Sequence, residues 1–130
     1  AGEVPVAAII TDSAGEVIAM GGNRVERDHD PSAHAEILAI RQAAAIMGSA
    51  RLNDCYLWVT LEPCAMCAAA ISHARIRRLY YGADDPKSGG VAHGARVFSH
   101  ATCHHKPEVY SGIGAEQSAA LLKDFFARRR

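Results

Sequence analysis

The segment Tyr56-Leu57-Trp58-Val59-Thr60-Leu61 restricts the fold more than any other part of the chain. A near-continuous apolar run of this length is too short for a core helix and lacks the alternation of a half-exposed strand. It reads as a central strand buried on both faces. Such a strand needs partners on each side and helices above and below. The flanking sequence supplies both. Val6 to Thr11 is short, apolar and β-branched, Asp12-Ser13-Ala14-Gly15 is a turn cluster, and Val17 to Gly21 returns, so the chain opens on a hairpin. Asp30-Pro31 predicts a helix start, with Asp as the cap and Pro in the first turn. That helix runs through Ala33, Ile37, Leu38, Ile40 and Ala44 to about Met47 and stops at Gly48. Pro63 begins a second helix through Ile71, Arg78 to Gly82 is a further strand, and a loop around Ser88-Gly89-Gly90 leads into a histidine-rich stretch from His93 to His105. Val109 to Ile113 is a last short strand, and Glu116 to Arg129 an amphipathic helix with Leu121, Leu122, Phe125 and Phe126 on its apolar side. A hairpin followed by alternating strands and helices predicts a three-layer α/β/α sandwich on a mixed sheet of about five strands. At 130 residues the chain is expected to form one domain, 1–130. Abundant alanine favours helices lying close to the sheet.

Charge and cysteines narrow the class. The 14 basic and 14 acidic residues cancel, which weighs against a broad electrostatic footprint for nucleic acid. Distribution matters more than the sum, and Arg75, Arg77 and Arg78, with Arg128-Arg129-Arg130, are the clusters that phosphate would meet; solvated helix ends explain either cluster equally well. The four cysteines are Cys55, Cys64, Cys67 and Cys103. With no secretory segment and no apolar run long enough to span a membrane, a reducing, cytoplasmic location is expected, and Cys-x-x-Cys with a distant His reads as a metal site.

Two segments carry the chemistry: His34-Ala35-Glu36 and Pro63-Cys64-Ala65-Met66-Cys67. Zinc takes thiolate and imidazole ligands in tetrahedral geometry, and a catalytic site keeps one position open. Cys64 and Cys67 are three apart, so one helical turn brings them to the same side, at a helix N-terminus that favours thiolate. His34 completes three ligands. Glu36 is the carboxylate beside the metal, able to take a proton from water, protonate a ring nitrogen and protonate departing ammonia. On a regular helix His34 and Glu36 would diverge, so the pair requires both to sit at the helix mouth. His-x-Glu with Pro-Cys-x-x-Cys is the known signature of zinc nucleobase deaminases. A purely structural zinc site would leave Glu36 without a role. The run Cys103-His104-His105 invites a second metal, but polar loop residues beside a pocket are the simpler reading. Cys55 reads as a small core residue, and His73 and His100 as surface or satisfied histidines.

With these residues in hand, the chain resembles the bacterial tRNA adenosine deaminases (the TadA family) of the cytidine deaminase-like fold. Glu3-Val4-Pro5-Val6 resembles the family's opening strand and Gly22-Asn23-Arg24 its nucleotide-contacting loop. Asp30-Pro31-Ser32-Ala33-His34-Ala35-Glu36 is similar to the metal and proton-shuttle segment, and Val59 to Cys67 to the cysteine segment. Tyr81-Gly82-Ala83-Asp84-Asp85-Pro86-Lys87 and Asp124-Phe125-Phe126 with the terminal arginines extend the match. The resemblance implies conversion of adenosine to inosine at the wobble position of a tRNA anticodon loop, by a homodimer with one Zn2+ per subunit. It implies substrate contacts from Asn23, Val4, Ala35 and Phe126, on a base flipped out of a single-stranded loop. Alanine stands at Ala7 and near-helix Ala69 where the family often has glycine, which requires negative φ at both. The family's helix before Glu3 has no counterpart in the sequence, so one sheet face is expected to be partly bare.

Two other readings compete. A deaminase of a free base or nucleoside, such as guanine or cytosine, would share the metal core; the terminal Phe-Phe and arginines favour RNA. A catalytically inactive zinc module that binds RNA would be expected to lack the carboxylate, which is present as Glu36.

Overall fold

The computed structural model describes residues 6–112. The expected helix at 116–129, the substrate contacts assigned to Val4 and Phe126, and the terminal arginines lie outside the described residues.

Two strands, β1 (Ala7–Thr11) and β2 (Val17–Gly22), form the opening hairpin, closed by a turn in which Asp12 Oδ1 accepts from the N–H groups of Ala14 and Glu16. Helix α1 (Ala35–Met47), strand β3 (Tyr56–Leu61), helix α2 (Ala65–Ala74), strand β4 (Arg78–Ala83) and strand β5 (Glu108–Ser111) follow, with a short 3-10 turn at Val97–Ser99 before β5. The sheet order is β2-β1-β3-β4-β5. β1 is antiparallel to β2 and β3, while β3, β4 and β5 run parallel, so the sheet is mixed with β3 at its centre, as its apolar run predicts.

The register sorts the side chains. Ile10 faces Ala19 on one neighbour and Leu57 on the other, and Leu57 faces Leu79; Ala8, Val59 and Tyr81 form the next row. These residues are all buried and build the core with the two helices. The opposite face corrects the expectation that β3 is buried on both sides. Tyr56, Trp58 and Thr60 are half-exposed there. Among the described residues this face carries an aromatic row: the Trp58 ring lies 4.0 Å from Tyr80 and the Tyr80 ring 5.0 Å from Tyr110, both nearly parallel. The indole N–H of Trp58 donates to Thr11 Oγ1 at 3.0 Å. Arg78 belongs to this face, 4.9 Å from the centre of the Tyr56 ring and 3.6 Å from Glu108, which removes it from the basic cluster read in the sequence.

Helix α1 packs through its smallest residues. Ala35, Ala39 and Ala43, spaced by four, are fully buried, while Ile37, Leu38 and Ile40 are only half-covered and Ile46 is 60% exposed. The packed face is therefore the row of alanines, which allows the helix axis to approach the sheet, as the abundance of alanine predicts. Gly21 completes this fit: a Cβ there would lie 2.6 Å from the Ala35 carbonyl oxygen and 3.1 Å from the Ala39 nitrogen. Gly21→Ala is expected to destabilise the protein by about 2 kcal/mol, because backbone atoms cannot rotate away from an added methyl. Urea unfolding of the variant measures it, and a change under about 0.5 kcal/mol would contradict the close packing. Positive φ among non-glycine residues is confined to His29, Arg75 and Arg96 among the described residues, so Ala7 and Ala69 satisfy the negative φ their side chains require.

Candidate active site

The structure moves the start of α1 four residues past the expected position. Asp30 does act as a cap, but of a local turn: its Oδ1 accepts from the Ser32 N–H at 2.9 Å and the Ser32 hydroxyl at 2.7 Å. The helix begins only at Ala35, with His34 as its N-cap in extended conformation (φ −74°, ψ 154°). This settles the geometric conflict in His-x-Glu. His34 is outside the helix and turns one way, while Glu36 sits in the first turn and turns another. The second helix repeats the device. Cys64, not a residue of the first turn, is the N-cap of α2 (φ −72°, ψ 174°), and Cys67 lies three residues inside. N-caps are usually Ser, Thr, Asp or Asn, whose side chains bond back to the helix. Neither His34 nor Cys64 makes such a bond, so both side chains are directed elsewhere.

They meet each other. His34 Nδ1 lies 3.5 Å from Cys67 Sγ and 3.7 Å from Cys64 Sγ, and all three ligand atoms fall within 4.8 Å of one another. Tetrahedral zinc with bonds of roughly 2.3 Å to sulfur and 2.0 Å to nitrogen separates those atoms by about 3.5 Å, so the donor set fits the ion in both spacing and chemistry. The thiols titrate as a pair. Cys64 is held down at about 5 by a hydrogen bond from Cys67, against its own burial and with help from the N–H dipoles of Cys67 and Met66, which lie near the sulfur without forming a cap hydrogen bond. Cys67, bonded to that sulfur and buried, is pushed well above the usual thiol range. Two such sulfurs carry charge together only when a cation lies between them.

Glu36 is 4% exposed and not a member of the three-ligand group. Burial pushes its carboxyl above the ordinary range, opposed by its own N–H and reinforced by the charge of Cys64. A cavity of about 350 Å³ opens over it, lined by Asn23, His34, Ala35, Glu36, Cys64 and Asp85, among others. The cavity lies beyond the carboxyl ends of the parallel strands β3 and β4, the usual place for a site on an α/β sheet. Of the residues read from the sequence, His34, Glu36, Cys64, Cys67, Asn23 and Ala35 are thus brought together. Asn23 is held by its backbone, its N–H donating to the Val6 carbonyl at 3.3 Å.

Glu62 is the residue the sequence reading passes over. It follows β3 and precedes Pro63, is 3% exposed, and its two oxygens accept from the N–H groups of Asp85, Val91, Ala92 and His93 at 3.0–3.1 Å and meet His93 Nδ1 at 2.8 Å. Burial alone would raise its carboxyl, but the donors from Asp85, His93 and Val91 outweigh it and hold the group at about 2. Asp84 stands near this pair, yet the donors already occupy the Glu62 oxygens, so the cluster is a tether rather than a second metal centre. The signal available in the sequence was a carboxylate at the end of an apolar strand with a Gly-Gly loop further on.

The other histidines and cysteines singled out in the sequence have partners in the fold. Cys103 Sγ lies 3.3 Å from Ser72 Oγ and 3.1 Å from the His105 carbonyl, and His105 Nε2 meets the Ile76 carbonyl at 2.9 Å, so this run ties a loop to α2. The His73 ring lies tilted against His104 at 4.6 Å, His100 bonds the Ala95 carbonyl, and Cys55 is a buried core residue. No helix among the described residues is long and apolar enough to cross a membrane.

The model of the MafB19-like deaminase family matches residues 1–130. A tRNA-specific adenosine deaminase of Agrobacterium fabrum is 56% identical over 128 residues, covering 98% of this chain and 84% of that protein. A solved structure described for A-to-I editing by tRNA:A34 deaminases at the wobble position is similar with a TM-score of 0.81 and 59% identity, over 84% of this chain and 83% of that one. A guanine deaminase of Bacillus subtilis is similar over 61% of this chain and 50% of that one, with a TM-score of 0.59 and 43% identity.

Proposed function

The chain belongs to the MafB19-like deaminase family, and from that premise we propose that it is a hydrolytic deaminase converting adenosine to inosine at the wobble position of a tRNA anticodon, with zinc held by His34, Cys64 and Cys67. The observation that carries the reading is the placing of a buried, non-ligating Glu36 beside three convergent ligand atoms at the floor of a cavity sized for one nucleoside. Bound zinc supplies a Lewis acid that brings the pKa of water to about 7.

The chain's own residues do the rest. Glu36, kept from solvent, is poised to take a proton from the attacking water. It passes the proton to N1 of the adenine ring as C6 becomes tetrahedral. The second proton goes to the exocyclic amine, which leaves as ammonia and yields inosine. The raised affinity of Glu36 for protons suits a group that must accept and return one in each cycle. Asn23 and Ala35 line the cavity where the base would lie, and Val4 and Phe126 are proposed as further contacts. A flipped base from a single-stranded loop reaches such a recessed floor, whereas a stacked one does not. We assign the whole of 1–130 to one deaminase domain acting in the cytoplasm, and a homodimer as its working form.

A substrate panel with zinc-loaded protein tests the reading: an anticodon stem-loop with wobble adenosine, free adenosine, guanine, cytosine and cytidine, with ammonia and inosine both followed. Inosine from the stem-loop alone is the expected result. Ammonia from guanine with the RNA untouched would keep the deamination chemistry and overturn the substrate.

A further inference from the structure

We propose that Glu62 is a positioning residue that sets the wall of the substrate cavity, by tethering the loop after β4 to the start of α2. The inference rests on the deaminase reading above and concerns how tightly that site holds its substrate. Neither a ligand role nor a proton-transfer role is assigned to Glu62.

The geometry is specific. The loop leaves β4 at Ala83, whose carbonyl accepts from the Glu62 N–H at 2.8 Å. From there it runs through Asp85 and Ser88, both of which line the cavity. It then returns across the Glu62 carboxylate, one oxygen taking the N–H of Asp85 and the other the N–H groups of Val91, Ala92 and His93. Both ends of the wall are therefore fastened to one side chain. Two glycines make the approach possible. A Cβ on Gly89 would collide with the Glu62 carboxylate, and one on Gly90 would lie 2.5 Å from the Ala65 nitrogen. The Gly90 N–H instead donates to the Pro63 carbonyl at 2.8 Å, which locks the loop against the turn that carries Cys64. Asp85 Oδ1 accepts from the N–H groups of Lys87 and Ser88, so the wall's own turn follows wherever Asp85 is held.

A buried carboxylate with this many backbone donors is a fixed point: when it is removed, several amides lose their acceptor together. The wall would then widen or fluctuate, and bound substrate would lose the contacts that the wall makes with it in the ground state and the transition state alike. Loss of ground-state and transition-state binding alike raises KM and leaves kcat alone.

Glu62→Gln tests this, since the amide keeps the volume but offers one acceptor oxygen in place of two. Hydrogen exchange of residues 85–93 is expected to accelerate while α1 and β1 keep their protection. With the panel substrate that the parent protein turns over, KM is expected to rise about tenfold with kcat within about threefold, at unchanged zinc content. Gly89→Ala, which leaves the carboxylate intact and displaces the loop, is expected to give the same split and serves where Glu62→Gln folds poorly. Unchanged exchange and KM in both variants would overturn the proposal. So would a joint fall of kcat, zinc content and melting temperature at constant KM, which marks mere support of the metal-bearing turn. A parent protein inactive on the stem-loop but active on a free base refutes the substrate reading, and the exchange measurement still decides the tether.

Discussion

Glu36→Gln is expected to yield a folded protein with one zinc per chain and turnover lower by about three orders of magnitude, the middle of the range for a general acid–base group. The expectation follows from position. Glu36 is in the first turn of α1, within the cavity, and the three ligand atoms come from other residues, so replacing its carboxyl with an amide removes no bond to the metal. An amide of the same shape cannot accept a proton from water or return one to N1. Stability should not fall. The carboxylate is buried and its charged form disfavoured, so a neutral side chain relieves a desolvation cost. KM should change little, because the proton is in motion only on the way to the transition state. Single-turnover rates, metal content and thermal melting on the same preparation decide the matter. Loss of zinc, or a variant that keeps a tenth of the parent rate, would contradict the role.

The role proposed for Glu36 is one the sequence already suggests, because chemistry restricts residue type: His-x-Glu and Pro-Cys-x-x-Cys leave few other readings. The position of the helix start was not legible. Asp30-Pro31-Ser32 satisfies the rules for an N-cap and for a local Asx turn equally, and only the path of the chain between Asn23 and His34 decides between them. The Arg24 N–H donating to the Ala33 carbonyl at 2.9 Å fixes that path, and it is a contact between segments, invisible to local pattern. The packing face of α1 also depends on contacts between segments. Large apolar residues mark a core face when the partner surface is distant; here Gly21 and the alanines let backbones approach, and burial goes to the small residues. The centre of the sheet followed directly from the Tyr56–Leu61 run, whereas the half-exposed aromatic ladder on its second face depends on the register of β4 and β5. Glu62 depends on residues more than twenty positions away, beyond the reach of a motif.

Both ligand-bearing helices begin on a residue that forgoes capping, and this gives the metal site a measurable signature in stability. Cys64→Ser is expected to reduce zinc affinity about a thousandfold, since one of the three ligands becomes a hydroxyl that stays protonated; at saturating metal that corresponds to about 4 kcal/mol of lost stabilisation. For a domain of this size the melting temperature in zinc should fall by on the order of 10 °C. In chelator the sign is expected to reverse. Cys64 is the N-cap of α2 and makes no side-chain bond to it, while serine is among the best N-cap residues. Without metal, therefore, the variant should match the parent or exceed it by up to about 1 kcal/mol. A generic core defect cannot produce such a crossing, because it would lower stability with and without metal. Denaturant curves of both proteins, each with zinc and with chelator, give the four numbers required. Equal losses in the two conditions would mean that Cys64 stabilises the fold by packing and would remove it from the ligand set; a loss confined to zinc ties the start of α2 to the metal.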